Sequence, residues 1–402
     1  MWAIKARRCF DGERFRVDGV TVLVEGEQIL RVEPLAYDVP ADVEVRSYDG
    51  TLLPGLVDCH VHLVADGSPG SLERAGTLSD DDLDEAIAGS LARQASAGVT
   101  TVRDLGDARY RTLVARDRRT PGEPRVVAAG PPLTIPDGHC HFLGGAVSGA
   151  YEATAAVREH VDRGVDVIKV MASGGMLTSE SDVFGVQFEQ AELEAVVAAT
   201  HEAGLRVLAH GHSAASLRQA VAVGVDGVEH ATCLLESGPS VPEDLFEVIA
   251  RRGITMDPTL GLDPSRMPPP QLMPRAMKEL LARFGLTPAG LAAVRTAQVA
   301  RARELGVRVV TGLDAGATPA KPHGFVWRAV AQLQGAGYSS AEAVATATSL
   351  AADDCGLGGT TGRLVPGHAA DLVVVDGDLS SDLEALSRPV DVRVRGTQVP
   401  LG

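Results

Sequence analysis

Eight apolar runs of strand length punctuate the middle of the chain. They are LVDCHVHL from Leu56, TTVRDLGD from Thr100, RVVAAGP from Arg125, DVIKVMASGG from Asp166, RVLAHGHS from Arg206, GVEHAT from Gly227, ITMDPTL from Ile254 and RVVTGLDAG from Arg308. Continuous Val, Ile and Leu within each run predict strands buried on both faces, which is the pattern of a parallel sheet. Amphipathic segments such as Glu189–Gly204 lie between the runs. A glycine closes each helical stretch, fitting a left-handed cap before the next strand. Eight alternating units predict an α/β fold, a (β/α)8 TIM-like barrel, with an open doubly wound sheet as the alternative.

The two ends read differently. Thr21–Pro34 carries two β-rich runs around a Gly-Glu turn, the mark of a hairpin. The last forty or so residues repeat that character in RLVPGHAADLVVVDGD and VDVRVRGTQV. Chain termini tend to lie close together. The expected organisation is a small composite β-sandwich domain from residues 1–53 plus 360–402, and a barrel over 54–359.

Composition narrows the class. Of 402 residues, 45% are hydrophobic and 22% charged, which excludes wholesale disorder. The formal net charge of −16 argues against nucleic acid and anionic membrane as partners. Cys9, Cys59, Cys140, Cys233 and Cys355 make an odd number with no CxxC, so neither a disulfide framework nor a cysteine zinc site is indicated. The opening MWAIKARRCFDGE lacks the apolar stretch of a signal peptide, and no window nears the roughly 18 apolar residues of a membrane span. The cytoplasm is the expected compartment.

Barrel enzymes place their chemistry at the C-terminal ends of strands. Those ends hold His60, His62, Asp104, Lys169, His210, His212, His230, Asp257 and Asp314. His60 and His62 are two apart on one strand, so both imidazoles face the same way and can reach one ion. Lys169 sits in VIKVMA, where an ammonium is costly unless paired or neutralised. It either reaches a carboxylate at the rim or is modified to an anionic bridging ligand. His210 and His230 close successive strands, and each alone could be a core histidine. His212 shares a face with His210 and suits a supporting or substrate-donor role. Asp314 can ligate a metal and accept a proton from bound water, or else cap a helix.

Together these segments resemble the amidohydrolase superfamily, near its imidazolonepropionase-related and prolidase-like (Xaa-Pro dipeptidase-like) branch. The resemblance runs through PGLVDCHVH at Pro54–His62, TTVRDLG at Thr100–Gly106, DGHCHFLGG at Asp137–Gly145, DVIKVMASGG at Asp166–Gly175, LAHGHS at Leu208–Ser213, VEHAT at Val228–Thr232, TGLDAG at Thr311–Gly316 and GRLVPGHAADLVVVDGD at Gly362–Asp378. It implies two divalent ions, usually zinc. His60, His62 and Asp314 would hold one, His210 and His230 the other, and a carboxylated Lys169 would bridge them with a hydroxide. That hydroxide attacks the amide carbonyl while Asp314 carries its proton to the leaving amine.

The segment after the third run supplies His139 and His141 as substrate contacts, with Asp137-Gly138-His139 where the branch usually has Gly-Gly-His. His323, in a Pro-His-Gly after the eighth run, is a further substrate contact. The Pro-rich Asp263–Pro274 reads as a lid or rim, with Arg266 able to meet a substrate carboxylate. Cys233 stands where prolidase-like relatives often carry an aromatic hydroxyl. The function implied is a binuclear metal-dependent hydrolase of a dipeptide or N-acyl amino acid. Alternatives are a cyclic amide, as in imidazolonepropionase, or a xenobiotic amide, carbamate or ester. A deaminase is disfavoured because HGHS carries no acid after His210, and a scaffold that has lost its ligands is disfavoured because every ligand position is filled. The expected partner is a small amide, with assembly as a homo-oligomer left open.

Overall fold

The computed structural model describes residues 1–178 and 181–401. The N-terminal strands are β1 (Trp2–Phe10), β2 (Phe15–Arg16), β3 (Val20–Glu25), β4 (Gln28–Glu33) and β5 (Glu44–Pro54). The middle holds β6 (Leu56–Val61), β7 (Val99–Asp104), β8 (Arg125–Ala128), β9 (Ile168–Met171), β10 (Val207–Ser213), β11 (Gly227–Leu235), β12 (Gly238–Pro239) and β13 (Thr255–Asp257). The chain closes with β14 (Leu372–Val375), β15 (Pro389–Val394) and β16 (Thr397–Gln398).

Both ends share one sheet. The Thr21–Pro34 pattern is realised as the antiparallel pair β3–β4, with Val22 opposite Val32. β5 runs parallel to β1 from Glu44 to Leu52, with a register shift on the way, and pairs antiparallel with β14 near its end, Pro54 facing Leu372. At the level of hydrogen bonding the two ends form one connected sheet of eight strands, where a two-layer sandwich was expected.

Seven of the eight middle runs are strands, all parallel. β6–β7–β8 form one ladder and β9–β10–β11–β13 a second, with β12 folded back on β11. Single parallel bridges, Leu133 to Val170, Met256 to Val309 and Val61 to Ala315, link the two sheets to each other and to the eighth run. That run forms no ladder. Its backbone donors go elsewhere: the Leu313 N–H to Asp58 Oδ1 at 2.9 Å, and the Asp314 and Ala315 N–H groups both to the His60 carbonyl. Asp314 also adopts a left-handed φ of 63°, which breaks strand geometry at the residue expected to do chemistry.

Strand alternation sets what faces where. On β9, Ile168 and Val170 join the main hydrophobic core, while Lys169 and Met171 line a cavity. On β10, Val207 and Ala209 pack outward, and Leu208 sits in a separate apolar cluster beneath His210 and His212. The expected helix at Glu189–Gly204 is a helix over Gln190–Glu202. Among the described residues no helix is long and apolar enough to cross a membrane.

Gly55 joins the terminal sheet to β6. A Cβ built there would lie 2.0 Å from Thr100 Oγ1. Gly55→Ala should therefore destabilise the protein by about 1–3 kcal/mol through overpacking. Thermal denaturation should show a lowered Tm.

Candidate metal centre

Residues far apart in the chain converge on one cavity of about 210 Å³. His60, His62, Lys169, His210, His230 and Asp314 all line it, as do His139 and His212. The expected ligand set is therefore brought together, with two further imidazoles.

Two donor groups are distinct. In the first, ligand atoms of His60, His62 and Asp314 lie within 4.8 Å of one another. Asp314 Oδ1 is 3.3 Å from His62 Nε2 and 3.6 Å from His60 Nε2. His60 Nδ1–H donates to Glu229 Oε2 at 2.7 Å, and His62 Nδ1–H to the Gly106 carbonyl at 3.1 Å. Nδ1 of each ring is thus committed, leaving Nε2 of each turned toward Asp314 inside the cavity. The second group is His210, His212 and His230, again within 4.8 Å. His210 Nε2–H donates to the Gly174 carbonyl at 3.3 Å, so its lone pair is on Nδ1. His212 and His230 share Nδ1 hydrogen bonds with the Thr232 and Thr259 hydroxyls, at 2.7 and 2.9 Å.

Lys169 is buried among these imidazoles, and its Nζ has no hydrogen-bond partner among the described residues. Burial pulls its pKa down, against the pull of Glu229 and Asp314. Among the described residues no rim carboxylate bonds this lysine.

Electrostatics suit a cation. Burial holds His60, His210 and His230 well below the ordinary imidazole range, so they are neutral, with lone pairs available. Burial opposes the charge of Asp314, but Lys321, His62 and His60 together hold its carboxyl well below the usual carboxylate range. Neutral imidazoles at His60, His210 and His230, an ionised carboxylate, and a buried nitrogen with no hydrogen-bond partner among the described residues are a donor set that fits divalent ions. His230 and Asp314 both carry left-handed φ angles of 63°, a strained conformation that gathers at functional sites.

Behind the cavity runs a buried ionic chain. Glu229, bonded to His60, lies 3.6 Å from Arg103 Nη2, and Arg103 Nη1 is 2.8 Å from Asp354. Arg206 closes the chain on Asp354 at 2.8 Å. A third group, His60, Glu229 and Asp257, also brings ligand atoms within 4.8 Å, but Glu229 already bonds His60 Nδ1.

The remaining expected residues divide. His139 faces the cavity, its ring 4.6 Å from that of His210 and its Nδ1 bonded to Thr178 Oγ1 at 3.0 Å. His141 does not reach the cavity: its Nδ1–H donates to the Gly138 carbonyl at 2.9 Å within its own loop. His323 is buried with both nitrogens engaged, by the Ala65 carbonyl at 2.9 Å and Gln94 at 3.2 Å, and is likewise not on the cavity wall. Arg266 lies over the Phe325 ring, outside the cavity lining, and Cys233 is buried against the Ala231 carbonyl. The Pro-rich segment does form part of the wall through Met267, Pro268, Leu272, Met273 and Pro274.

Three functional positions escaped the sequence reading. Glu229 is visible in principle, as a carboxylate inside an apolar strand. Lys321 sits two residues before His323, and its Nζ is 3.6 Å from Asp314 Oδ2. Arg295 lies mid-helix in Pro288–Glu304 with no sequence mark at all, yet lines the cavity.

With this geometry in hand, the comparisons are informative. The amidohydrolase family model matches residues 51–399, so the chain belongs to the amidohydrolase family, whose members are hydrolases with a TIM-barrel type fold. The chain is similar to a solved Xaa-Pro dipeptidase with bound methionine, at 24% identity over 98% of each chain with a TM-score of 0.85. It is also similar to a prolidase complexed with N-methylphosphonate-L-proline, at 26% identity over 99% of this chain and 98% of that one with a TM-score of 0.80. Among curated relatives, an ochratoxinase of Aspergillus niger is 27% identical over 275 residues, 61% of this chain and 55% of its own length.

Two predictions follow from the buried polar groups. Burial pushes His139 and His212 down to about 3 and His323 to about 4. The unfolded chain takes up protons at these histidines near pH 6.5, and the folded one does not. Metal-free protein should therefore lose stability as pH falls below about 6.5, by up to roughly 1.4 kcal/mol per pH unit per histidine. Tm measured from pH 7 to pH 5 in chelator checks this. In addition, a Cβ at Gly312 would lie 2.1 Å from Asp257 Oδ2 and 2.6 Å from the His60 backbone nitrogen. Gly312→Ala should displace His60 and lower bound metal, read by elemental analysis of the purified protein.

Proposed function

We propose that the protein is a binuclear metal-dependent hydrolase that cleaves the amide bond of a dipeptide or N-acyl amino acid. The observation that supports this reading is Lys169: a buried amine with no hydrogen-bond partner among the described residues, on the wall of a cavity that imidazoles and Asp314 also line. Addition of carbon dioxide to its Nζ, with loss of two protons from the ammonium form, turns a cation into an anionic ligand. His60, His62 and Asp314 would hold one ion, His210 and His230 the other, with Lys169 between them. Bound there, the ions supply Lewis-acid polarisation of the scissile carbonyl and an activated water.

The chain's own groups do the rest. Glu229 and the Gly106 carbonyl orient the first two imidazoles. Asp314, kept ionised by Lys321 and the neighbouring histidines, accepts the water proton and delivers it to the leaving amine. His212 is anchored through Nδ1 by Thr232 and presents its other nitrogen to the substrate, and His139 flanks the same space. The apolar wall excludes water and seats a hydrophobic part of the substrate. Similarity to a prolidase bound to a phosphonate analogue of a proline dipeptide supports the amide-bond reading. The same reading keeps zinc as the metal, and residues 1–53 plus 360–402 as a composite domain beside the catalytic one.

Protein reconstituted with zinc and bicarbonate should hydrolyse members of a panel of dipeptides and N-acyl amino acids, and dialysis against chelator should abolish this reversibly. Asp314→Asn should lower kcat by roughly 10²–10⁴-fold. Lys169→Met should bind fewer metal equivalents than the unaltered chain. Full activity in Asp314→Asn would refute the proton-transfer role, and full metal content in Lys169→Met would refute the bridging lysine.

A further inference from the structure

Two of the five cysteines meet behind the donor groups. Cys59 lies on β6, between Asp58 and His60. Cys355 directly follows the short helix Ser349–Asp354, which packs against β6. The Cys59 thiol donates a hydrogen bond to Cys355. Val57, Val310, Ala351 and Ala352 form a small apolar cluster with Cys59, which is fully buried. Cys355 packs on that cluster and also on the one that holds Leu208, yet keeps part of its surface exposed.

One guanidinium holds both cysteines in place. Arg103 Nε donates to the Cys59 carbonyl at 2.9 Å, and Arg103 Nη1 donates at 2.8 Å to Asp354, the residue before Cys355. The ionic chain that steadies His60 through Glu229 therefore fixes the thiol pair as well. Its charge matters too. The hydrogen bond from Cys59, helped by the Arg103 charge, holds the Cys355 thiol below its ordinary value against the effect of burial. Burial instead pushes Cys9, Cys140 and Cys233 up to about 12, which keeps those thiols protonated and inert. A partly exposed thiol with thiolate character and a second thiol against it is the arrangement of a reversible oxidation site.

We propose that Cys59 and Cys355 form a reversible disulfide on exposure to hydrogen peroxide, and that closing it weakens metal binding at His60. The Cys355 thiolate attacks peroxide and the O–O bond breaks. A sulfenic acid forms, and the departing hydroxide takes up the proton that Cys355 released. The Cys59 sulfur then attacks the sulfenic sulfur. The S–S bond forms, the S–O bond breaks, and the second hydroxide leaves as water with the Cys59 proton. Two thiols have given up two electrons, and peroxide has become two waters. An S–S bond is about 2.05 Å long, far shorter than a hydrogen-bonded thiol contact. Closing it draws β6 toward the end of the helix. His60 is the next residue along β6, so its imidazole moves relative to Glu229 and Asp314, from which it now stands 2.7 and 3.6 Å. The disulfide itself is independent of the function proposed above; its effect on metal rests on His60 being a ligand.

The test begins with metal-free protein and a slight excess of hydrogen peroxide. Free thiols should fall by two, and peptide mass mapping without reductant should recover the segments carrying Cys59 and Cys355 joined to each other. A phosphine reductant should restore both thiols. Cys9→Ser should behave as the unaltered chain does, and Cys355→Ser should give no joined peptide. Zinc affinity is then measured by competition with a chromogenic chelator. The oxidised chain should bind roughly 10- to 100-fold more weakly, the loss that follows when the support of a ligand is disturbed, and should recover on reduction. Cys355→Ser treated with peroxide should keep its affinity. Absence of the joined peptide from the unaltered chain overturns the disulfide, whatever the variants do. A joined peptide with unchanged zinc affinity overturns the link to His60. If neither form binds zinc, the metal reading above fails, and the peptide map still decides the disulfide.

Discussion

The structure turns on one constraint: polar and charged side chains have been placed where water cannot solvate them. Each must find a partner or change its charge. Imidazoles meet the demand by staying neutral, as at His60, His210 and His230. Asp314 meets it by sharing its carboxylate between Lys321, His60 and His62. Lys169 is the exception: among the described residues its Nζ has no hydrogen-bond partner.

The same constraint reaches outward. Glu229 orients His60, Arg103 balances Glu229, and Asp354 balances Arg103 with help from Arg206. Removal of one member of such a chain leaves an uncompensated charge, which is why buried pairs are intolerant of single changes even when they add little net stability. Gly312 serves the same end sterically: its missing side chain lets the eighth run lie against His60 and Asp257. The left-handed turns at His230 and Asp314 are held by hydrogen bonds from Arg295 and by contacts with the first strand.

Much of this was legible in the residues. Continuous apolar runs marked the strands because burial on both faces leaves no room for alternation, and seven of eight formed as expected. His60-x-His62, Lys169, His210, His230 and Asp314 stood out because strand ends concentrate chemistry. The eighth run was misleading, since its apolar residues promised a ladder that Asp58 and the His60 carbonyl pre-empted. His141 and His323 could not be placed because a loop histidine looks the same whether it faces a cavity or a carbonyl. Arg295 was invisible: one arginine in an Arg- and Ala-rich helix acquires meaning only when the helix packs across β11 and β13.

One feature of the wall separates chemistry from taste. The donor groups stand on or just beyond the parallel strands and the eighth run, whereas much of the apolar lining comes from the stretch between β13 and the helix at Pro288–Glu304. Methionines are prominent there, and their unbranched, polarisable chains reshape readily around different guests. Evolution can therefore retune what this enzyme accepts by rewriting a surface stretch, without touching the residues that perform hydrolysis.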